Sequence, residues 1–262
     1  MQLTKDYISS KFDEITTYLR TKRPELVAEA GSVDTSNKDD TYQTVLTRFD
    51  TEIEQKIRDI LIDEKSLGIC GEEHGTTGDE HNFWTIDPID GTEHFVRGDP
   101  FYMCMVGLVL DDEPVAGLLY NYTLDQLYLA LPGEAATCNG KVIHVSDRPL
   151  ERAAIQIETK DKHIHHMFNE SVLPAAYFLE AFGACSGFCL TQVARGASEA
   201  RIHMTGYGHL WDYIPGFVLV RAAGGVVRNI GSDSWDWRNF DVIASNEVVA
   251  DNLQALVLSP EA

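Results

Sequence analysis

The sequence predicts an α/β fold of mixed helices and sheets (α+β), organised as two α/β layers. Three observations carry that prediction. Helical spacing of apolar residues opens the chain, a run of short strands separated by tight turns follows, and strands then alternate with buried helices. A chain of 262 residues with 44% hydrophobic content suits one large domain, or two tightly joined halves at about 1–150 and 151–262, with a sizeable core.

Residues 5–30 place Tyr7, Ile8, Phe12, Ile15, Tyr18 and Leu19 at helical spacing, and Pro24 predicts the start of a second helical piece. Residues 31–40 read as a polar linker. Residues 50–64 predict a helix with Ile53, Ile57, Ile60 and Leu61 on one face. Short strands are predicted at 67–70, 83–87, 101–110, 114–121 and 126–131. Turns at 111–113 and 121–125 make the last three an antiparallel meander. A strand at 152–158 precedes buried helices at 185–196 and 212–223, each ended by glycine. Strands at 226–230 and 240–244 and a helix at 246–256 close the pattern. There is no internal repeat and no low-complexity tract.

Composition narrows the function. A formal charge of −20 argues against binding a nucleic-acid polymer, which needs cationic stripes. No stretch of eighteen apolar residues predicts a membrane span. The opening Met1-Gln2-Leu3-Thr4-Lys5-Asp6 lacks a secretory pattern. Cys70, Cys104, Cys138, Cys185 and Cys189 are scattered, with no Cys-x-x-Cys pair, so reduced thiols in a cytoplasmic protein are expected.

The chemistry concentrates in Trp84-Thr85-Ile86-Asp87-Pro88-Ile89-Asp90-Gly91-Thr92. An apolar strand end runs into two carboxylates three apart. Pro88 cannot continue a ladder, so the chain is expected to turn where the carboxylates sit. Gly91 allows close backbone approach, and Gly91-Thr92 can offer N–H groups to an anion. Hard oxygen ligands beside anion-binding amides are what metal-assisted phosphate chemistry needs. Alone, the motif also reads as an ordinary Asp-Pro-x-Asp-Gly turn.

Its company is specific: Gly71-Glu72-Glu73 upstream, Trp211-Asp212-Tyr213-Ile214-Pro215-Gly216 and Ala222-Ala223-Gly224-Gly225 downstream, Thr47-Arg48-Phe49-Asp50 before a helix, and Cys138-Asn139-Gly140 between the halves. Over about 38–250 this set resembles the inositol monophosphatase family of lithium-sensitive, magnesium-dependent phosphatases. The resemblance implies a layered αβαβα sandwich, a homodimer, and hydrolysis of a small phosphorylated metabolite with two to three Mg²⁺ ions. It implies one metal between Glu72, Asp87 and the Ile89 carbonyl, and a second between Asp87, Asp90 and Asp212. A third would lean on Glu72. It assigns catalytic roles to Asp50, Glu72 and Thr92, with Asp50 and Thr92 orienting the attacking water. Substrate would be held by Asp90, Gly91, Thr92 and Asp212. Lithium inhibition follows from the same resemblance, and Lys38 lies near the family's metal-proximal lysine.

Plainer roles exist for the same residues. Asp50 could be only a first-turn acid and Asp212 an N-cap. Glu73 and His74 read as supporting or solvated. His163, His165 and His166 read as a solvated helix or loop rather than a zinc site, and nothing marks a base for a Cys185 nucleophile. The substrate-reading region departs from the family. Ala184-Cys185-Ser186-Gly187 replaces Gly-Ser or Gly-Thr followed by Ala, 201–210 contain no acid, and Ala222 stands where an acid is common. Arg201, His203, Tyr207 and His209 become the candidate leaving-group contacts. Inositol monophosphate is the default substrate. Histidinol phosphate, fructose 1,6-bisphosphate and 3′-phosphonucleotides stay open, as does a non-catalytic interaction role.

Overall fold

The protein is described by a computed structural model covering residues 3–32, 36–37, 45–63, 65–183, 185–204, 206, 208–232 and 234–258. Most of the linker expected over 31–40, with Lys38, lies outside these residues, as does Tyr207.

In chain order the first half holds α1 (Lys5–Glu29), β1 (Ser36–Asn37), β2 (Val45–Leu46), α2 (Arg48–Leu61), β3 (Gly68–Gly71), β4 (Gly75–Thr77), β5 (Phe83–Asp90), α3 (Thr92–Arg97), β6 (Met103–Leu110), β7 (Glu113–Asn121), β8 (Gln126–Ala130), β9 (Thr137–Cys138) and β10 (Lys141–Val142). The second half holds β11 (Ala154–Glu158), α4 (Lys162–Ser171), β12 (Phe178–Ala181), α5 (Ser186–Ala194), β13 (Ala200–His203), α6 (Leu210–Ala222), β14 (Val226–Asn229), β15 (Val242–Ser245) and α7 (Glu247–Leu258). An eight-stranded sheet runs β10-β9-β8-β7-β6-β5-β3-β4, and a five-stranded sheet runs β12-β11-β13-β15-β14. The meander β6-β7-β8 is antiparallel, as its turns predict. No described helix is long and apolar enough to cross a membrane.

Alternation along the strands sorts the core into layers. On β6, Cys104, Val106 and Leu108 join Phe12, Ile15, Ile53 and Ile57 of α1 and α2. Met103 and Met105 face the other way, onto Leu190 and Val193 of α5 and Phe217 and Leu219 of α6, and the same cluster reaches Val242 and Ala244 of the second sheet. That sheet's far face packs Ile155, Ile157 and Ile202 against Phe168 of α4 and Leu253 of α7. The result is helix, sheet, helix, sheet, helix. Residues 213–220 of α6 are all buried, as a helix in the central layer must be.

The seat of α6 is cut by two glycines paired across β6 and β7, Gly107 and Gly117. A Cβ on Gly117 would stand 2.5 Å from the Pro215 carbonyl oxygen, and one on Gly107 would stand 2.9 Å from Ile214 Cγ2. The missing side chains let α6 lie flush on the sheet.

Two expectations are corrected. Pro24 does not start a new piece; it lies inside a continuous α1. Pro88 does not end β5, which runs on to Asp90, but the register with β6 shifts between Asp87 and Asp90. A bulge there absorbs the missing donor. The short strands β4, β12 and β13 and the helix α3 were not predicted.

Candidate active site between the two sheets

The site is built outward from β5. Gly71 of β3 pairs in parallel with Ile86, and the Glu72 N–H donates to the Ile86 carbonyl at 3.1 Å. Register alone therefore brings Glu72 beside Asp87. The turn that follows is held from below. Glu54, fully buried on α2, accepts the Glu73 N–H at 2.6 Å and the His74 N–H at 3.0 Å, and Arg58 Nε donates to it at 2.8 Å. So Glu73 and His74 carry backbone support for the turn. The Glu54–Arg58 pair was missed, although Asp50, Glu54 and Arg58 recur every four residues on the helix face that also carries Ile53 and Ile57.

At the end of β5 the Ile89 N–H donates to Asp87 Oδ1 at 3.0 Å. Gly91 then takes φ 92°, a left-handed conformation open to glycine, and caps α3. The Thr92 hydroxyl stands 2.9 Å from the Ile89 carbonyl oxygen and 3.3 Å from Asp50 Oδ1. Its single proton serves one of these at a time. Asp50 Oδ2 accepts the Thr47 N–H at 2.8 Å and the Thr47 hydroxyl at 2.5 Å. Asp50 is thus the first-turn acid of a capping box, and it also touches Thr92.

The second half supplies two helix starts. Asp90 accepts the Ser186 N–H at 3.1 Å on one oxygen and the Gly187 N–H at 2.7 Å on the other, both from the first turn of α5. Neither donor announced itself in sequence, because a backbone amide carries no side-chain signature. Asp212 is not the N-cap of α6. It is the third helical residue and accepts the N–H of His209, which is the cap.

Like charge accumulates here. Burial raises the Asp87 carboxyl well above its ordinary range, and Glu72, Asp90 and Asp212 each raise it further. Asp212 is raised by burial, then by Glu72 and Asp90. Burial pushes Asp90 up to about 7 against the Gly187 hydrogen bond. Asp50 is likewise pushed up to about 7 by burial, with Glu72 and Glu73 adding to it and the Thr47 hydrogen bonds opposing it. Among the described residues, no lysine or arginine is ion-paired to Asp87, Asp90 or Asp212. No three acidic, histidine or cysteine side chains there already close on one point. With Asp87 and Asp90 buried and their like-charged neighbours repelling one another, these oxygen-bearing groups fit a hard divalent cation.

The expected leaving-group contacts fare differently. Arg201 is buried in β13, paired with Glu158 and donating to the Phe182 carbonyl. His203 is buried, with Nδ1 2.7 Å from the Phe240 carbonyl. Both side chains serve the inner face of the second sheet. His209 is exposed and stacks on Trp211. His163 and His166 are exposed on α4, the solvated helix expected. The Cys185 thiol is buried and pushed well up by that burial, which removes it as a nucleophile.

Comparison with known proteins agrees with this architecture. The model of the inositol monophosphatase family matches residues 9–259. The inositol-1-monophosphatase ImpA of Mycolicibacterium smegmatis is 30% identical, over 81% of this chain and 80% of that protein. A fructose-1,6-bisphosphatase/inositol-1-monophosphatase of Aquifex aeolicus is 28% identical over 76% of each. The crystal structure of the extragenic suppressor protein suhB from Bartonella henselae superposes with a TM-score of 0.85 over 96% of this chain and 98% of that one; at 22% identity the likeness concerns fold. A family match spanning nearly the whole chain, joined to a relative of that identity and coverage, means that this chain belongs to the inositol monophosphatase family and is a phosphoric monoester hydrolase.

Proposed function

We propose that the protein is a Mg²⁺-dependent phosphomonoesterase acting on a small polyol or sugar phosphate, with inositol monophosphate as the first candidate. The observation that carries this reading is the convergence of like charge at Glu72, Asp87, Asp90 and Asp212, which raises the Asp87 and Asp212 carboxyls. Glu72, Asp87 and the Ile89 carbonyl would hold one Mg²⁺, and Asp87, Asp90 and Asp212 a second. When bound, such ions neutralise phosphoryl oxygens, lower the pKa of water and stabilise the leaving alkoxide.

The chain's own residues do the rest. The Gly91 and Thr92 amides receive a phosphoryl oxygen where the backbone turns into α3. Asp50 accepts the Thr92 hydroxyl hydrogen, which turns the lone pairs of Thr92 toward a water and orients it for in-line attack. Asp90 at the end of β5 and Asp212 in the first turn of α6 set the distance between the phosphate and the leaving group. A homodimer belongs to the same reading and is checked by size-exclusion chromatography with light scattering.

The test is phosphate release from inositol 1-phosphate, histidinol phosphate, fructose 1,6-bisphosphate and 3′-phosphoadenosine 5′-phosphate, with and without Mg²⁺ and Li⁺. Turnover that requires Mg²⁺ and falls in Li⁺ is expected for one of them. Asp87→Asn should lower kcat by roughly a hundredfold or more, while the metal-free fold stays intact because a repelling charge has been removed. Wild-type turnover in the variant, or turnover indifferent to chelation, would sink the proposal.

A further inference from the structure

His94 stands on α3, four residues after Asp90, and its side chain is buried. Its ring lies flat against Phe182, centroids 5.6 Å apart and planes 12° apart, and edge-on to Phe101 at 5.5 Å. Nε2 lies 3.1 Å from the Gly183 carbonyl oxygen. Nδ1 lies 2.9 Å from Arg97 Nη2 and 3.2 Å from Asp99 Oδ2. A carbonyl only accepts and a guanidinium only donates. These partners assign the proton to Nε2, with Nδ1 accepting from Arg97, while Asp99 is held by Arg97 Nε at 2.9 Å.

The same two chain segments are therefore tied twice. Asp90 holds the amides of Ser186 and Gly187, and His94 holds the carbonyl of Gly183. Gly183 is solvent-exposed and has no side chain of its own with which to pack. From the other side, Arg201 donates to the Phe182 carbonyl, and Glu158 Oε1 would stand 3.1 Å from a Cβ on Gly183. Of these straps, His94 alone comes from the element that also carries Thr92.

We propose that His94 is a positioning residue: its N–H anchors the Gly183 carbonyl just before α5 and so fixes the start of that helix, whose first amides orient Asp90. This rests on the proposed function only in naming Mg²⁺ as the ion that Asp90 serves. The geometry separates donor from bulk. His94→Phe keeps the ring in its aromatic box and loses the donor. His94→Gln places an amide N–H near the position of Nε2, whereas His94→Asn reaches only the Arg97 side.

Two measurements decide it. One is calorimetric titration of the chelated protein with Mg²⁺. The other is amide hydrogen exchange of the metal-free protein across 185–187. His94→Phe and His94→Asn should weaken Mg²⁺ binding roughly five- to tenfold, the scale of one lost hydrogen bond. They should also speed exchange at Ser186 and Gly187, with little change in Tm. His94→Gln should restore both. Wild-type affinity and exchange in His94→Phe, or equal damage in the Phe and Gln variants, would overturn the proposal. If His94→Phe does not fold, the Asn and Gln pair carries the same contrast. If the wild-type protein itself binds no Mg²⁺, the proposed function fails, and the exchange arm, which needs no metal, still decides the role of His94.

Discussion

At the scale of the residue, the site divides into groups the sequence exposes and groups it conceals. Asp87 and Asp90 are legible because Pro88 and Gly91 force the backbone to break pattern around them. Ser186 and Gly187 are not, because they act through amides that any residue owns. Glu54 lies between: a carboxylate on the apolar face of a helix is visible in the spacing, yet only the fold shows that it receives the Glu73 and His74 amides. Glu54→Ala should cost about 3–5 kcal/mol in urea unfolding, because it strands the buried Arg58 guanidinium as well as two amides. Glu54→Gln, which keeps an acceptor, should cost less. Equal costs for the two would mean that the pair contributes packing rather than hydrogen bonding.

At the scale of the element, long periodic segments were readable and short or polar ones were not. The strand β13 carries Arg201 and His203 on its buried face, which contradicts the apolar alternation used to find strands. The edge strand β12 is largely exposed, so no apolar run marks it. In α1, Pro24 looks like a start signal but is tolerated within the helix, as packing of Leu19 and Leu26 on either side holds the axis. The seat of α6 offers the sharper test. Gly117→Ala places a methyl against the Pro215 carbonyl and should destabilise the protein by about 1–3 kcal/mol. Since α6 also carries Asp212, the variant should lose Mg²⁺ affinity along with stability. Unchanged thermal unfolding would show that α6 is not seated as described.

At the scale of the molecule, the succession of layers was implied by family resemblance, whereas local spacing gave only the mixture of helices and sheets; the full burial of residues 213–220 is the local trace of a central layer. The charge distribution predicts a global property. Asp50 and Asp90 have ordinary values near 3.8 and are pushed up to about 7 in the folded chain. Between those values the folded protein binds more protons than the unfolded one, so these groups make stability fall as pH rises from about 4 to about 7. In EDTA, Tm should therefore drop by several degrees from pH 5 to pH 8, and added Mg²⁺ should raise it more at pH 8 than at pH 5. A metal-free Tm that rises across this interval would contradict the buried acidic cluster. The double tie between residues 90–94 and 183–187 has a further consequence, in time rather than in space. Its partners lie 89 to 97 residues apart in sequence, so a chain emerging from the ribosome completes the first sheet with Asp90 in place long before the amides of α5 can grip it. Closing so long a loop is slow. Until it closes, the nascent protein carries Asp87 and Asp90 with neither Asp212 nor α5, and the proposed metal site is complete only with the last third of the chain.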